Sequence, residues 1–191
     1  MEDNTKLNDE YVKMVNDYFS TNSTIVFGNL SSAHAAHVTK KLFEKAEKEI
    51  KIFSGTFCET FYSNPDVNNS LRSAIERLKV KNGKIKIVTL DEKNPSKRID
   101  EFSELDGEKK VIEYLPLTHE GKSSEFEHFM VVDNVAYRKE RGHEVIENTI
   151  PEVQAEVCAN GKKESCRLSN YFDIIWNSFS EKKWNFNLLL L

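Results

Sequence analysis

Two hydrophobic periods alternate along the chain. Leu7, Tyr11, Met14, Val15, Tyr18 and Phe19 recur at spacings of three, four and seven, which predicts an amphipathic helix over residues 3–20. The stretch STIVFGN, closed by Gly28 and Asn29, predicts a short strand. Ser31 or Ser32 then caps a helix over about residues 33–48, with Val38, Leu42, Phe43 and Ala46 as its apolar stripe. EIKIFSG changes to a period of two and reads as a strand. The aromatic segment TFCETFYSNP reads as a loop. Asn64-Pro65-Asp66 opens a helix carrying Val67, Leu71, Ala74, Ile75 and Leu78. Beyond the turn Asn82-Gly83, KIKIVTL is a strand. Asn94-Pro95-Ser96 starts another helix, with Ile99, Phe102 and Leu105 facing inward, and KKVIEYLPL is the next strand.

After the loop THEGKSSE, the stretch FEHFMVVDNVAYRKE reads as a β-hairpin. Phe126, His128, Met130 and Val132 share one strand face, and the turn is Asp133-Asn134. A polar link, the strand EVQAEVCA and the turn Asn160-Gly161 follow. In the last helix Leu168, Phe172, Ile175, Trp176 and Phe179 share a face. Leu188 to Leu191 are too few to span a membrane and are expected to pack on a neighbour or fray. This order of elements predicts an α/β fold, a mixed β-sheet flanked by helices. Residues 1–30 are expected to form a helical arm, and 31–191 the domain.

Composition narrows the class. The 191 residues suit one domain with an arm, and 39% hydrophobic with 30% charged residues is globular. A net charge of −4 does not indicate nucleic acid, although a local basic groove remains compatible with it. No apolar run is long enough to cross a membrane, and the acidic N-terminus does not resemble a signal peptide. Cys58, Cys158 and Cys166 show no metal-site spacing and are expected to be reduced thiols of a cytoplasmic protein. The abundance of Lys and Asn, with few Gly and Pro, is compatible with a bacterial source. No cofactor or metal is expected.

The hairpin carries the candidate chemistry. The plainer reading of His128 is a strand histidine held by a buried carboxylate or carbonyl, ahead of ligand binding and catalysis. Asp133 is good turn chemistry in its own right. Arg138 and Glu140 share a face of the second strand. Arg138 either grips an anion bidentately or pairs with Asp133 or Glu156. Glu156, between Ala155 and Val157, is a candidate partner for His128 or Arg138. His34 and His37 share a helix face but lack a third metal ligand at suitable spacing. Phe57, Phe61 and Tyr62 either line a pocket or close over the core as a lid.

On these stretches the chain resembles half of a phospholipase D-like domain. LFEKAEKEIKIFSG is similar to the first helix-to-strand unit, GKIKIVT to the next strand, FEHFMVVDNVAYR to the motif hairpin and LSNYFDIIWNSF to the closing helix. The resemblance covers about residues 33–180. Members of that family carry H-x-K-x-x-x-x-D. The His attacks phosphorus, the Lys neutralises phosphate charge and the Asp orients a His. Two such motifs, from two halves or two subunits, form one site.

Here Asp133 matches, His128 stands at the Lys position and Phe126 at the nucleophile position. The resemblance therefore implies a degenerate member acting as a homodimeric binding or interaction module. Its expected ligand is a partner protein or a small anionic, phosphate-containing or nucleotide-like molecule. Phe126, Arg138, Glu140 and Glu156 are the expected binding residues. The alternative is a phosphodiesterase or nuclease with a remodelled site, using His128 with Asp133.

Overall fold

The computed structural model describes residues 7–29, 31–55, 57–90, 97–106, 110–117, 126–142 and 154–187. The loop at 118–125, most of the polar link and the four terminal leucines lie outside them, as do Asn94-Pro95-Ser96. In order the elements are α1 (Asp9–Ser20), β1 (Val26–Asn29), α2 (Ser32–Lys45), β2 (Glu49–Ser54), α3 (Glu59–Tyr62), α4 (Pro65–Lys81), β3 (Lys84–Thr89), α5 (Lys97–Asp106), β4 (Ile112–Pro116), β5 (His128–Val132), β6 (Ala136–Glu140), β7 (Ala155–Cys158) and α6 (Lys162–Asn187). The segment expected as an aromatic loop thus contains the single turn α3.

The helices begin and end on local chemistry. Asn8 Oδ1 accepts from Tyr11 N at 2.7 Å and Ser31 Oγ accepts from His34 N at 3.2 Å, capping α1 and α2. Asn64 caps α4 with Pro65 in its first turn, and Asn82 ends it in the left-handed region at φ 55°. Gly83 follows because a Cβ there would meet Leu78 Cδ2 and Lys48 O at 2.5 Å.

One seven-stranded sheet runs in the order β1-β7-β6-β5-β2-β3-β4. β2, β3 and β4 are parallel neighbours, and the other pairings are antiparallel. The period of two splits each strand between two cores. Ile50, Ile52, Ile85, Ile87, Met130 and Val132 pack with α2, α4 and α5 through side chains such as Leu42, Leu71, Leu78 and Phe102. Phe53, Val88, Phe129, Val131 and Tyr137 pack with Leu168 and Phe172 of α6 on the other face.

α1 and β1 pack into this body. β1 is an edge strand of the sheet, and Val15 of α1 is fully buried in the larger core.

Candidate functional site

The hairpin register builds a polar row. His128 lies opposite Glu140, Glu140 opposite Ala155, and Ala155 opposite Asn29. Their side chains therefore share the face covered by α1 and α2. Arg138 stands one step along β6 on that face, opposite Met130 and Val157. Ala155 leaves room in the row, and Arg138 reaches across it. Its Nε donates to Asn29 Oδ1 at 3.0 Å and its Nη2 to Glu140 Oε2 at 2.7 Å. The other Glu140 oxygen lies 3.6 Å from His128 Nδ1. His128 is 3% exposed, Asn29 1%. The row sits at the carboxyl ends of β1, β2 and β6, where clefts in α/β folds open.

Three neighbours pack around this polar row. Ser31, buried, is the N-cap of α2. Tyr11 of α1 lies flat on His34 with ring centroids 3.7 Å apart, and its hydroxyl donates to Gly28 O at 3.1 Å. Tyr62 is buried and stacks on Phe57 at 3.6 Å. Burial raises the pKa of both phenols, and the nearby Arg138 guanidinium opposes this. Both stay protonated at neutral pH. Burial pushes the His34 imidazole below the usual histidine range, so it stays neutral. The candidate site thus combines a bidentate-capable guanidinium, an amide, an imidazole beside a carboxylate, and aromatic neighbours. The Arg138 and Glu140 charges cancel.

The expected residues divide. His128, Arg138 and Glu140 come together. Asp133 does not join them. It sits across the length of β5, roughly 17 Å away at the usual strand rise. There its Oδ2 accepts from Glu47 N at 2.8 Å, and its Oδ1 accepts from Lys48 N at 2.8 Å and Glu49 N at 2.7 Å. Glu156 points to the opposite face, exposed, with Lys139 Nζ at 3.2 Å. The reason is parity: Arg138 pairs with Val157, and Glu156 pairs with Lys139. Phe126 precedes β5 rather than extending its face, and packs edge-on against Phe53 in the α6 core, 6.2 Å between centroids.

Asn29 and Tyr11 were not among the expected site residues. The available signal for Asn29 was a polar residue two positions after inward-facing Phe27. For Tyr11 the helix stripe gave no signal beyond core. Cys158 is buried and Cys166 exposed, both as free thiols. Among the described residues no group of three His, Cys, Asp or Glu is arranged to hold a metal, and no helix is long and apolar enough to cross a membrane.

No protein-family model matches the chain, and no curated protein matches it in sequence. Solved structures do match in shape. The archaeal chromatin protein TrmBL2, whose structure shows a mode of DNA binding, superposes with TM-score 0.57 at 15% identity over 89% of this chain. This chain spans 59% of that one. Nuc from Salmonella typhimurium, a phospholipase D family member, gives 0.54 at 17% identity, covering 81% of this chain and 94% of its own. NucT from Helicobacter pylori gives 0.57 at 11% identity, covering 81% and 98%. Likeness at such low identity reports architecture, and the architecture here is the mixed α/β fold of phospholipase D-like proteins.

Proposed function

We propose that this chain is a catalytically degenerate phospholipase D-like domain, working in the cytoplasm as a homodimeric binding module for a small phosphate-bearing, nucleotide-like ligand. The carrying observation is that the cleft keeps anion-recognition groups without the motif's nucleophile. Arg138 and Asn29 are fixed side by side, whereas the nucleophile position is Phe126, packed in the opposite core. With Glu140 already cancelling Arg138, the cleft has little charge with which to stabilise a transferring phosphoryl group. The occurrence of this architecture in a DNA-binding chromatin protein supports a binding role, while a net charge of −4 favours small ligands over nucleic acid.

The test pairs turnover with binding. The purified chain should not hydrolyse bis(p-nitrophenyl) phosphate, should sediment as a dimer, and should bind AMP or inorganic phosphate. Arg138→Met should weaken that binding about tenfold, the scale of one charge-assisted contact. Hydrolysis abolished by His128→Ala would overturn the proposal. It would favour the second reading, a remodelled phosphodiesterase, for which the approach of Glu140 to His128 Nδ1 is the supporting geometry.

A further inference from the structure

Some of the buried polar atoms without hydrogen-bond partners among the described residues lie on α1 and on the elements it packs against, β1 and α2. Asn29 Nδ2 at the end of β1 and both ring nitrogens of His34 in the first turn of α2 are among them, and α1 itself carries Asn16 Oδ1. Tyr11 is the part of α1 that reaches the cleft, through its ring on His34 and its hydroxyl on Gly28 O. That hydroxyl contact is the single side-chain hydrogen bond from α1 to the sheet among the described residues.

The helix is held mostly by partly buried side chains, with Tyr11, Met14, Tyr18 and Phe19 packed against the larger core. Val15 alone of its 12 residues is fully buried. In the 14-residue α2, Ala35, Ala36, Val38, Thr39, Leu42 and Phe43 all are. Orphaned buried donors and acceptors disfavour the closed arrangement. A helix held mostly through partly buried side chains can open below the global unfolding free energy.

We infer that α1 is an autoinhibitory gate on the Arg138 cleft. Tyr11 holds on His34 the stacking place that a planar ring of the ligand takes when α1 is displaced. Displacement also exposes the Asn29 Nδ2 group, which has no partner in the closed arrangement, and opens the approach to Arg138. The ligand half of this inference rests on the binding function proposed above, whereas the gate rests on the α1 contact alone.

Amide hydrogen exchange on the full chain, combined with titration of AMP and of inorganic phosphate, tests both halves. Amides of α1 should exchange at least about tenfold faster than those of central α2, as a sub-global opening. Tyr11→Ala should speed exchange in α1 and the first turn of α2 while leaving β5 and α4 protected. It should also tighten AMP binding about tenfold by raising the open fraction, more than it tightens phosphate. Tyr11→Phe, which keeps the stacked ring, should stay closer to wild type. Exchange of α1 only together with the core would overturn the gate. So would equal AMP affinity in wild type and Tyr11→Ala. If α1 opens as expected but neither probe binds any variant, the binding function fails and the gate stands on the exchange data.

Discussion

Asp133 and Glu140 stand at opposite ends of one hairpin, and each holds its negative charge in a nest of donors. Around Asp133 the donors are backbone amides of the turn between α2 and β2, and all three bonds are between 2.7 and 2.8 Å. Its own N–H also donates to Glu49 O at 2.9 Å. Such a carboxylate ties the hairpin turn to the turn before β2, with three of its acceptor positions taken by backbone amides. Around Glu140 stand two side chains, Arg138 with Nη2 donating at 2.7 Å and the His128 ring with Nδ1 3.6 Å away. Those can turn, re-pair or give up a bond when something else arrives. Backbone donors mark a structural carboxylate, and side-chain donors at a cleft mark an exchangeable one. Lys51, on the far side of the sheet, is a second structural case. It is 4% exposed and bonded to Ser169 Oγ at 2.7 Å and Asp173 Oδ2 at 2.8 Å, so it pins α6.

The strongest way to break the contrast is Asp133→Ala. It orphans three amides and puts a less suitable residue at φ 53° in the turn, so it should cost about 3 kcal/mol of stability in urea unfolding. Asp133→Asn tolerates that backbone and keeps one acceptor, so about half that loss is expected. If Asp133→Ala instead left stability intact and removed ligand binding, the division between the two hairpin ends would be wrong.

Lys51→Ala should come next, at about 2 kcal/mol, because it strips a buried donor from Ser169 while Asp173 is exposed enough to rehydrate. The cleft should respond differently. Replacing both members of its ion pair, Arg138→Met with Glu140→Gln, leaves no uncompensated charge. Stability should stay within about 1 kcal/mol of wild type, while phosphate binding weakens about tenfold, as for Arg138→Met alone. A double variant that unfolds would place the Arg138 pair with Lys51 as architecture.

The fold was legible because both periods are clean. The alternation in EIKIFS and KIKIVT, and the caps at Ser31 and Asn64, act locally and survive into the structure. The hairpin's chemistry was legible only where parity carried it: His128, Arg138 and Glu140 meet because residues opposite each other or two apart share a face. Glu156 was misplaced because the register of β7 against β6 depends on a link whose length does not fix it. A shift of one residue changes the face. Phe126 failed differently, since strand pairing begins at His128 and a residue before the ladder is free to turn to the other core. Asn29 and Tyr11 come from elements about a hundred residues away in sequence. Their approach to Arg138 is a tertiary fact with no local signature.

β6 itself supplies the mildest test, because Lys139, between Arg138 and Glu140, faces α6 instead of the cleft. Its ammonium meets Glu164 at 2.8 Å, and Glu164 also accepts from Arg167 at 2.8 and 3.0 Å. The Arg167 guanidinium, helped by Lys139, pulls the Glu164 carboxyl from the ordinary 4.5 to about 2 against an opposing effect of burial. A carboxyl depressed in the folded state stabilises it above the unfolded value. That contribution fades as pH falls from about 4.5 towards about 2. Glu164→Gln should therefore lower the urea midpoint slightly at neutral pH, and the two proteins should converge near the acid end. Added salt should shrink the difference, since Arg167 is half exposed. The same titration on the Arg138→Met and Glu140→Gln pair should show no comparable salt dependence. Those charges lie against the sheet with little solvent between them, and screening reaches them weakly.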